Sequence, residues 1–566
     1  MKRFWALFFV LCFVVVSLGG CGRTTATASK PGYRSDIRVE ASVDEDGRVT
    51  VVSLSHNETP GIGDFSVTVT IALINKKQSV AIDAVAGATV SSLATIAAAE
   101  EAISKLAVDI EKFLSPALTE TTEYLTLDYD VAVVGAGGAG LTAAITAAEK
   151  GAKVVVMEKL AIPGGSTARS DGRIMAAGTE LQQKYREADN AGSFAGYLYA
   201  FADKNLGSFR QLELAEHSAA NLRFLENIGI TFADNVYAAF EGQSPKRVHL
   251  VSDGDDTGGC LMIQPLVDKA LALGVTFLYN TRAFELVQSF DGTVRGVRGK
   301  SSFGHVLTLN ADAVILASGG FDRSHTLLSE HGLSSGLSVS GVGSTGDGVE
   351  LARSAGADIF DAASLIATLE DLGTGLFDTT GLIVDASGNR LGNEAGDPFL
   401  LSSTLLSRGY TTAYLIVDAG AYNDAVRAGL DVGKVVVADT VEELSEKTGM
   451  PDLNFAVAQY NIKCANKSDP EYGKPSRYLG ALADGPFCAV PLALKTYGTL
   501  GGVVTNSRCQ VLDNTGNMIT GLYAAGEVMN GAFFITGFPS FGASLAEVLE
   551  TGILAGDNAA KHALGF

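Results

Sequence analysis

The chain has 566 residues, of which 47% are hydrophobic and 19% are charged, so it can bury large cores and its length predicts a few domains rather than one. Its formal net charge of -21 argues against nucleic acid as a partner, because neutralising phosphates requires clustered Lys and Arg. The seven histidines and the scattered cysteines lack the spacing of metal, haem or iron–sulfur ligands. We therefore expect no metal site, and one or two disulfides remain open.

The N-terminus has the pattern of an export signal. Lys2 and Arg3 precede an apolar run over 4–16 and then small residues, which is typical of a signal peptide. Leu18-Gly-Gly-Cys21 resembles a bacterial lipobox, which implies cleavage before Cys21 and a diacylglycerol anchor on its sulfur; a plain signal peptide or a single membrane anchor is the alternative. We expect a signal peptide at 1–20, a flexible Thr-, Ala- and Ser-rich tether at 21–35, and a protein that is exported and lipid-anchored to the outer face of the bacterial cell membrane.

Residues 36–114 are predicted to form a small α+β domain. Apolar and polar residues alternate over 37–43 and 49–54, on either side of an acidic turn, and this pattern predicts a β-hairpin. The β-branched run at 67–74 predicts another strand. The Ala-rich segment 91–113 predicts a helix.

Two segments of this domain resemble motifs of a known family. His56-Asn-Glu-Thr-Pro-Gly-Ile-Gly63 and Asp83-Ala-Val-Ala-Gly-Ala-Thr-Val-Ser91 resemble the FMN-binding domain of respiratory flavoproteins and of a subunit of the sodium-pumping quinone reductase. In that family a dedicated flavin transferase attaches FMN, through a phosphoester bond, to the Thr or Ser two places after G-A-T, which corresponds to Ser91. By the same resemblance Thr89, in the motif, is the second FMN-binding residue, and Glu58 and Thr59 stand in the flanking loop. Ala86 departs from the Ser or Thr of the family, and an ordinary Gly-Ala loop whose Ser caps a helix is the alternative.

A glycine-rich turn follows a short apolar strand at 131–134, which has the composition of an interior parallel strand. The glycines of a G-x-G-x-x-G fingerprint are Gly135, Gly137 and Gly140. A second apolar strand at 153–157 ends at Glu158, whose carboxylate can accept hydrogen bonds from a ribose. The order of strand, turn, helix, strand and acid predicts a dinucleotide site, whereas the fingerprint alone would also fit a fortuitous turn.

Further elements follow the glycine turn along the chain. Residues 180–230 have helical periodicity, and apolar runs at 275–279, 284–288 and 311–320 predict strands of the same sheet. Near the C-terminus, 521–527 repeats the pattern of an apolar strand followed by glycine. Small residues of the loop 163–172 suit a backbone that passes close to a cofactor.

Five segments together resemble the FAD-binding fold of the fumarate reductase and flavocytochrome c family, which includes urocanate reductase and, more distantly, ketosteroid dehydrogenases. They are the glycine turn with Glu158, Gly164-Gly-Ser-Thr167, Ala317-Ser-Gly-Gly-Phe321, Ser344-Thr-Gly-Asp-Gly348, and Leu500-Gly-Gly-Val503 with Gly526-Glu527. The resemblance implies an α/β fold: a Rossmann-like FAD-binding domain with an inserted α+β capping domain, preceded by the small α+β FMN-binding domain. It divides the chain into the FAD-binding domain at 128–365, the cap at 366–486 and the second part of the FAD-binding domain at 487–566.

In this family the Gly526-Glu527 pair holds the flavin ribitol, and the helix that begins near Gly542 places its N-terminus by the isoalloxazine ring. The mobile cap closes over a substrate at the domain interface. The FAD-binding residues that the resemblance implies are Gly135, Gly137, Gly140, Glu158, Lys159, Gly165, Ser166, Thr167, Gly172, Ser318, Gly319, Asp347, Gly526, Glu527, Ser544 and Leu545.

The substrate site departs from the family, whose fumarate reductases clamp two carboxylates with Arg and His and protonate the substrate through an Arg. The cap Arg falls near Pro398, the carboxylate-binding His at Gly498 or Tyr497, and the second clamp Arg at Pro539. The cap's His-Pro-Thr motif corresponds to about Thr368. Because two desolvated carboxylates need cationic partners, fumarate is not the expected substrate.

Aromatic residues stand where the charges are missing. Phe538 and Phe541 are the expected substrate contacts, and with Tyr497 they would line an apolar pocket for a larger planar unsaturated carbonyl compound. Phe533 and Phe534 fit core packing equally well. Tyr497 is the expected proton donor. Weaker candidates in the cap are Arg408, Tyr410 and Asp397.

An exported flavoprotein without a nicotinamide fingerprint has little access to NADH, so we expect a membrane electron donor, either a quinol or a dehydrogenase system. FMN on Ser91, attached by the flavin transferase, is the expected entry, FAD is the second carrier, and the C=C bond of a small unsaturated substrate is the acceptor. Two alternatives stay open. One is a ketosteroid-type dehydrogenase that runs the chemistry in reverse, and the other is a non-catalytic flavin electron-relay lipoprotein.

Overall fold

A computed structural model describes residues 24–115, 123–202, 204, 208–302, 304–334, 336–371, 380–421, 429, 434–535 and 537–566. The predicted signal peptide, the lipobox and Cys21 lie outside these ranges. Within them, no helix combines the length and the apolarity needed to cross a bilayer. The four cysteines that the structure describes, Cys260, Cys464, Cys488 and Cys509, are free thiols.

The N-terminal domain is an antiparallel three-stranded sheet covered by helices. Its strands are Thr24–Pro31, Asp36–Val43 and Val49–Ser55, and its helices are Gly63–Lys77, Thr89–Ser104 and Ile110–Leu114. The predicted hairpin is confirmed by the pairing of the second and third strands. Fully buried side chains of the sheet, such as Ile37 and Val51, pack against Ala98 and Ile103 of the second helix.

Two predictions for this domain are wrong. Residues 24–31, assigned to the flexible tether, form a strand that pairs along its whole length with Asp36–Val43, so the sheet gives this Thr- and Ala-rich segment backbone partners. Residues 67–74, assigned to a strand, belong to the helix Gly63–Lys77. Its buried positions Val67, Thr70 and Ile74 recur at helical spacing, which outweighs the β-propensity of the branched residues.

The large domain contains an eight-stranded mixed sheet. The order along the main path is Gln510–Leu512, Met518–Ala524, Val306–Leu316, Tyr124–Val134, Val154–Met157 and Thr276–Leu278, and the hairpin of Thr281–Gln288 and Val294–Ser301 extends from Val306–Leu316. Tyr124–Val134 lies between two parallel neighbours, and its last four residues are buried. The predicted Rossmann-like arrangement is confirmed.

The large domain also contains ten helices among the described residues. They are Gly138–Glu149, Gly165–Arg169, Glu180–Lys184, Ala191–Tyr199, Phe209–Asn227, Cys260–Ala272, His325–Glu330, Asp347–Ser354, Gly531–Phe534 and Ala543–Leu564, with a 3-10 turn at Gly526–Met529 and a small ribbon of Arg173–Met175 and Val248–Leu250. The C-terminal helix Ala543–Leu564 packs closely on Gly138–Glu149. A Cβ atom on Gly556 would lie 2.4 Å from the carbonyl oxygen of Ala143, so glycine sets this close approach.

The cap is built on a six-stranded sheet. Its strands are Leu337–Ser338, Ser364–Asp371, Leu382–Asp385, Thr412–Val417, Val436–Ala438 and Phe487–Leu500; its helices are Pro398–Ser407, Val441–Thr448 and Leu453–Asn466, with 3-10 turns at Ala419–Ala421 and Ser476–Tyr478. Phe487–Leu500 is central, because it pairs with four of the other strands. The predicted boundary at 486 therefore falls directly before the strand that organises the cap sheet, and this strand also leads back into the large domain.

Candidate functional site

A cavity of about 810 Å³ opens where the parallel strands of the large domain end. Val134, Met157 and Ala317, which are among its wall residues, stand at or directly after the carboxyl ends of three neighbouring strands. Open α/β sheets bind their ligands at this edge. The cavity is therefore the candidate cofactor site.

The three glycines of the turn have three different roles. Gly135 has φ +108°, and a Cβ atom there would lie 2.3 Å from the carbonyl oxygen of Ala317, so only glycine fits the turn. A Cβ atom on Gly140 would lie 2.0 Å from the carbonyl oxygen of Gly135, so this glycine lets the helix approach the strand. Gly137 faces the cavity, and a Cβ atom there would meet only Gly164, at 3.9 Å. This is the division of roles that a pyrophosphate needs.

Glu158 lies at the end of the second strand, on the cavity wall. Its Oε2 accepts the Ala136 N–H and its Oε1 accepts the Leu160 N–H, both at 2.8 Å. Burial raises the pKa of this carboxyl, and the backbone donors oppose that shift. Since each carboxylate oxygen can accept more than one hydrogen bond, Glu158 is fixed in place and can still accept the hydroxyls of a ribose.

Charged side chains gather at one lip of the cavity around Asp347. Lys159 Nζ lies 2.9 Å from Asp347 Oδ2, and Arg282 Nη2 lies 2.9 Å from Asp347 Oδ1. Burial alone would raise the pKa of Asp347, but these two cations outweigh it and hold the pKa below its ordinary value. Asp347 is thus an anion that orients two cations at the nucleotide end of the cavity.

Glu527 lies on the cavity wall near the cap. It accepts the backbone N–H of Thr499 at 2.7 Å, and burial, followed by repulsion from Asp322, raises its pKa to about 8. Cβ atoms on Gly320 and Gly498 would lie 1.9 Å and 2.4 Å from Glu527 Oε1. Position 498 therefore has no room for a side chain beside Glu527, and of the two positions assigned to the family histidine, Tyr497 is the one that carries a side chain.

Most of the predicted FAD-binding residues line this cavity: Gly135, Gly137, Glu158, Lys159, Gly165, Ser166, Thr167, Ser318, Gly319, Asp347 and Glu527. Gly140 packs behind the turn, Gly172 packs against the backbone at Gly258, and Gly526 donates its N–H to Thr551 Oγ1 at 2.8 Å. Ser544 and Leu545 form the first turn of the C-terminal helix. Wall residues that the sequence analysis missed include Thr281, Gly341, Gly343 and Ser344. Ser344 belongs to one of the five resembling segments, and the glycines at 341 and 343 directly precede it, so the sequence did contain a signal for them.

The two resembling segments of the N-terminal domain meet at a buried hydrogen bond. Ser91 Oγ donates to Glu58 Oε2 at 2.5 Å, and both side chains are buried. Burial alone would raise the pKa of Glu58, but the Ser91 hydroxyl and the backbone N–H groups of Tyr33, Arg34 and Ser35 hold it below its ordinary value. Thr59 directs the chain into the next helix, since its carbonyl accepts the backbone N–H groups of residues 62, 63 and 64. Thr89 is the first residue of the helix that carries Ser91, and Thr89 is exposed.

Four aromatic rings form a cluster between the cap and the large domain: Phe399, Tyr497, Phe538 and Phe541. The Phe399 ring centroid lies 4.9 Å from that of Phe538, 4.8 Å from that of Phe541 and 5.9 Å from that of Tyr497. The structure thus brings the three predicted aromatic residues together around Phe399, which sequence reasoning missed and which the cap helix Pro398–Ser407 supplies. Phe533 and Phe534 are almost fully buried, in keeping with core packing.

Asp397 connects the cap to the loop that holds the cluster. It caps the helix Pro398–Ser407 by accepting the Phe399 N–H at 3.1 Å, and it accepts Ser540 Oγ at 3.2 Å. Burial raises the pKa of Asp397 to about 6. Ser540 has φ +112°, a conformation that non-glycine residues adopt mainly at functional sites. The Tyr197 hydroxyl donates to the carbonyl of Pro539 in the same loop.

Two cations lie beside the cluster. The Arg173 guanidinium stacks over the Phe541 ring at 4.8 Å and pairs with Asp171 at 3.2 Å. Lys495 lies 5.6 Å from the Tyr497 ring centroid and pairs with Glu370, two residues beyond Thr368 on the neighbouring strand. The structure thus places a cation, Arg173, against a ring for which sequence reasoning proposed only apolar neighbours.

The other cap candidates are engaged elsewhere. Arg408 Nη1 pairs with Asp385 Oδ2 at 2.8 Å, and the Tyr410 hydroxyl lies 2.7 Å from Ser387 Oγ. Both contacts are internal to the cap. Among the described residues, no three His, Cys, Asp or Glu side chains are grouped so that they could hold a metal ion.

Fold and cavity together define a flavoprotein oxidoreductase whose large domain carries a cap. Residues 130–538 match the family described as FAD binding domain, and residues 32–104 match the FMN-binding domain. The chain belongs to the FAD binding domain family and carries an FMN-binding domain before it. Its cofactors are FAD and FMN, and the glycine turn with Glu158 fits the first of them.

Among its relatives, the urocanate reductase of Eggerthella lenta is 28% identical to this chain. The similarity spans 97% of this chain and 94% of the reductase. The cytochrome-type fumarate reductase of Shewanella frigidimarina is 30% identical over 76% of this chain and 77% of its own. A solved structure, the 3-ketosteroid-Δ4-(5α)-dehydrogenase of Rhodococcus jostii RHA1 in complex with 4-androstene-3,17-dione, is 26% identical with a TM-score of 0.66, covering 79% of this chain and 99% of the dehydrogenase.

Proposed function

We propose that the chain reduces the C=C bond of an activated, planar unsaturated carbonyl compound. FAD, when bound, supplies the hydride, which adds to the β-carbon of the enone or enoate. The observation that carries the proposal is the aromatic cluster between the cap and the large domain, which stands at the positions where the resemblance places the carboxylate clamp of fumarate reductases. The urocanate and fumarate reductases among the relatives support reduction as the direction.

The cluster sets the substrate class. Phe541 and Tyr497 are half-buried, so their ring faces suit a flat substrate, whereas Phe399 and Phe538 are buried and support them from the core. Arg173 over Phe541 supplies a cation for a single carboxylate or carbonyl oxygen, and the prolines at 398 and 539 leave no clamp for a second. An unsaturated monocarboxylate or ketone with a planar body fits this arrangement better than fumarate.

A proton must reach the α-carbon after hydride transfer, and Tyr497 is the proposed donor. Its ring packs against Phe399 and Phe541, so its hydroxyl is held in a fixed position in the cluster. A phenol in such a place can donate directly or through water. Lys495 and Glu370 connect the same strand pair to solvent and can restore the proton.

The electron supply is proposed from the N-terminal features. Electrons from a membrane donor, a quinol or a dehydrogenase system, enter at FMN on Ser91 and continue to FAD. A flavin transferase attaches the FMN, and the lipid anchor on Cys21 holds the exported protein on the outer face of the membrane. The buried Ser91–Glu58 pair supports this acceptor, because the carboxylate holds the Ser91 hydroxyl in a fixed position.

A ketosteroid-type dehydrogenase is the second candidate. It is favoured by the aromatic lining together with the fold shared with the Rhodococcus dehydrogenase. Such an enzyme would remove a proton from the α-carbon and a hydride from the β-carbon of a saturated ketone, and would pass the two electrons outward to quinone.

The test is an anaerobic screen of the full-length flavinylated protein. Dithionite-reduced enzyme is mixed with unsaturated monocarboxylates, enones, fumarate and steroids, and flavin reoxidation is followed. We expect rapid reoxidation by a planar monocarboxylate or enone and little by fumarate. Reduction of the oxidised enzyme by saturated ketones would favour the dehydrogenase instead. No reaction in either direction, with flavin-to-flavin transfer intact, would indicate a relay protein and overturn the proposal.

A further inference from the structure

A second cavity, of about 330 Å³, lies between the N-terminal domain and the large domain, and is termed the domain groove. Ile62, Ala86 and Gly87 form its wall on the N-terminal side. The opposite wall consists of Leu160, Ile162, Pro163, Gly165, Ala168, Arg169, Gly341 and Val342. Both sequence segments that resemble FMN-binding domains thus contribute to this wall of the groove.

Direct contacts hold the two domains together around the groove. Arg34 makes a bidentate pair with Asp256, at 2.8 Å and 3.1 Å. A Cβ atom on Gly61 would lie 2.4 Å from the carbonyl oxygen of Cys260, so the backbones of the two domains touch there. Val85 and Ala88 are buried in one apolar cluster with Ile162. These contacts fix the position of the groove relative to the large domain.

The domain groove and the FAD cavity share walls. Leu160, Gly165 and Gly341 line both. Two of the three are glycines, so little side-chain material separates the two spaces at this point. A flat ring in the groove would therefore lie directly beside the FAD cavity.

Ser91 is within reach of the groove. Its Oγ lies 3.2 Å from the position that a Cβ atom on Gly63 would occupy, and Gly63 directly follows the wall residue Ile62. Ala86 and Gly87 belong to the same motif as Ser91. Where the resembling family has Ser or Thr, Ala86 gives the groove an apolar surface, which suits a flavin ring.

Arg169 gives the otherwise uncharged lining a positive end. Its Nε donates to the carbonyl of Val339 at 3.1 Å, which holds the guanidinium at the edge of the groove. A cation in this place stabilises negative charge on a reduced flavin. The groove thus offers the small-residue walls, the apolar surface and the cation that a redox-active flavin ring needs.

We infer that the FMN ring carried on Ser91 occupies the domain groove, against the wall it shares with the FAD cavity. With both flavins bound, this placement would let electrons pass between them within the docked chain, without movement of the domains. The inference rests on the proposed function, which places FMN on Ser91, and adds where the ring lies.

Hydrogen exchange tests the location of the ring. The wild-type chain, produced with and without the flavin transferase, is compared after mass spectrometry has shown whether the Ser91 peptide carries FMN. We expect FMN to slow exchange in peptides of the large-domain wall, over 160–169 and 339–343, as well as in the N-terminal domain. Protection confined to the N-terminal domain would overturn the inference while leaving the flavinylation intact, whereas an unmodified Ser91 peptide would overturn the proposed electron entry itself.

A matched pair of glycine variants tests the docked transfer. Gly61 and Gly47 have similar backbones, with φ +68° and +76°, but a Cβ atom on Gly47 meets nothing within 4 Å. Gly61→Ala should push the domains apart and slow flavin-to-flavin transfer about tenfold or more after flash photoreduction without substrate, while Gly47→Ala should not. Equal rates in the two variants, with FMN and FAD content unchanged, would show that transfer does not need the docked arrangement.

Discussion

The FAD cavity and the aromatic cluster are built in different ways. The cavity is defined largely by backbone: glycines at 135, 137 and 140 set the approach of strand, turn and helix, and few side chains contribute charge. The cluster is defined by side chains, four rings and one stacked guanidinium. The cofactor can therefore be inherited with the fold while the substrate changes, since rings can be exchanged without disturbing the backbone.

The first prediction tests the backbone side of this comparison. Gly140→Val should abolish FAD binding, because its Cβ atom would collide with the Gly135 carbonyl at 2.0 Å and force the helix off the strand. Gly196→Val is the control, a helical glycine with nothing within 4 Å of its Cβ position. Flavin absorbance per protein after purification measures the result. Normal FAD content in Gly140→Val would contradict the assigned role of this turn.

The second prediction concerns FMN, which the proposed function attaches to the protein through the single oxygen of Ser91. Ser91→Ala should remove covalent FMN completely and leave FAD content unchanged, since no other oxygen replaces the acceptor. Ser92→Ala is the neighbouring control; Ser92 is also buried, and its Oγ donates to the Thr89 carbonyl. The intact masses of the three proteins decide the matter. An FMN adduct that survives in Ser91→Ala would place the attachment elsewhere.

The third prediction moves to the side-chain region. Tyr497→Phe keeps the ring contacts with Phe399 and Phe541 and removes only the hydroxyl, so substrate-dependent flavin reoxidation should slow by roughly 10²- to 10⁴-fold, the usual range for a lost proton donor. Tyr410→Phe, which removes a hydroxyl inside the cap, serves as the control. If Tyr497→Phe retained the wild-type rate, the proton would have to come from another group, and Asp397 would be the next to test.

The fourth prediction concerns Glu527, on the border of the two regions. With its pKa raised to about 8, the carboxyl is uncharged at neutral pH, so Glu527→Gln should bind FAD nearly as well as the wild type. Glu527→Ala loses the hydrogen bond to Thr499 and should bind about tenfold more weakly. Titration of FAD into the apoprotein measures both. Equal weakening in the two variants would indicate that ionised Glu527 is the binding form.

The same group makes stability depend on pH. A raised pKa in the folded state favours folding below the ordinary pKa of 4.5, and this contribution is lost as the pH rises through about 8. The thermal unfolding midpoint of the wild type should therefore fall more steeply than that of Glu527→Gln as the pH rises through this value.

The fifth and smallest effect concerns Asp397. Its pKa of about 6 means that it ionises as the pH rises towards neutrality, which adds negative charge beside the cluster and should slow hydride transfer a few-fold. Asp397→Asn retains the helix cap and should flatten this part of the pH–rate profile. A profile that keeps its shape in Asp397→Asn would assign the titration to another group.

The cofactor domains could be predicted from the sequence because their signals are local. The glycine turn, Glu158 and the hairpin at 37–54 depend on residues close together in the chain, and each is found where it was expected. The prediction of a strand at 67–74 was wrong because it used the β-propensity of the branched residues and not the helical spacing of those that are buried. The prediction of a flexible tether at 24–31 was wrong because this segment becomes a strand only through its pairing with Asp36–Val43, which its own composition does not indicate.

The cluster could be predicted only in part. Tyr497, Phe538 and Phe541 were found through their motifs, whereas Phe399 and Arg173 required the packing of the cap and of the ribbon Arg173–Met175 against the helix loop. The domain groove is wholly tertiary, since its walls come from residues 62–87, 160–169 and 341–342. No local pattern in the chain indicates that these segments face each other.

The N-terminal strand has a consequence for the choice of electron donor. The strand begins at Thr24, three residues after the proposed lipid anchor at Cys21, and three peptide links extend over at most about 11 Å. If the proposed anchor is present, the domain would stay at the surface of the bilayer. The proposed electron donor would then have to deliver electrons at that surface, which is a condition that a quinol-oxidising membrane protein meets.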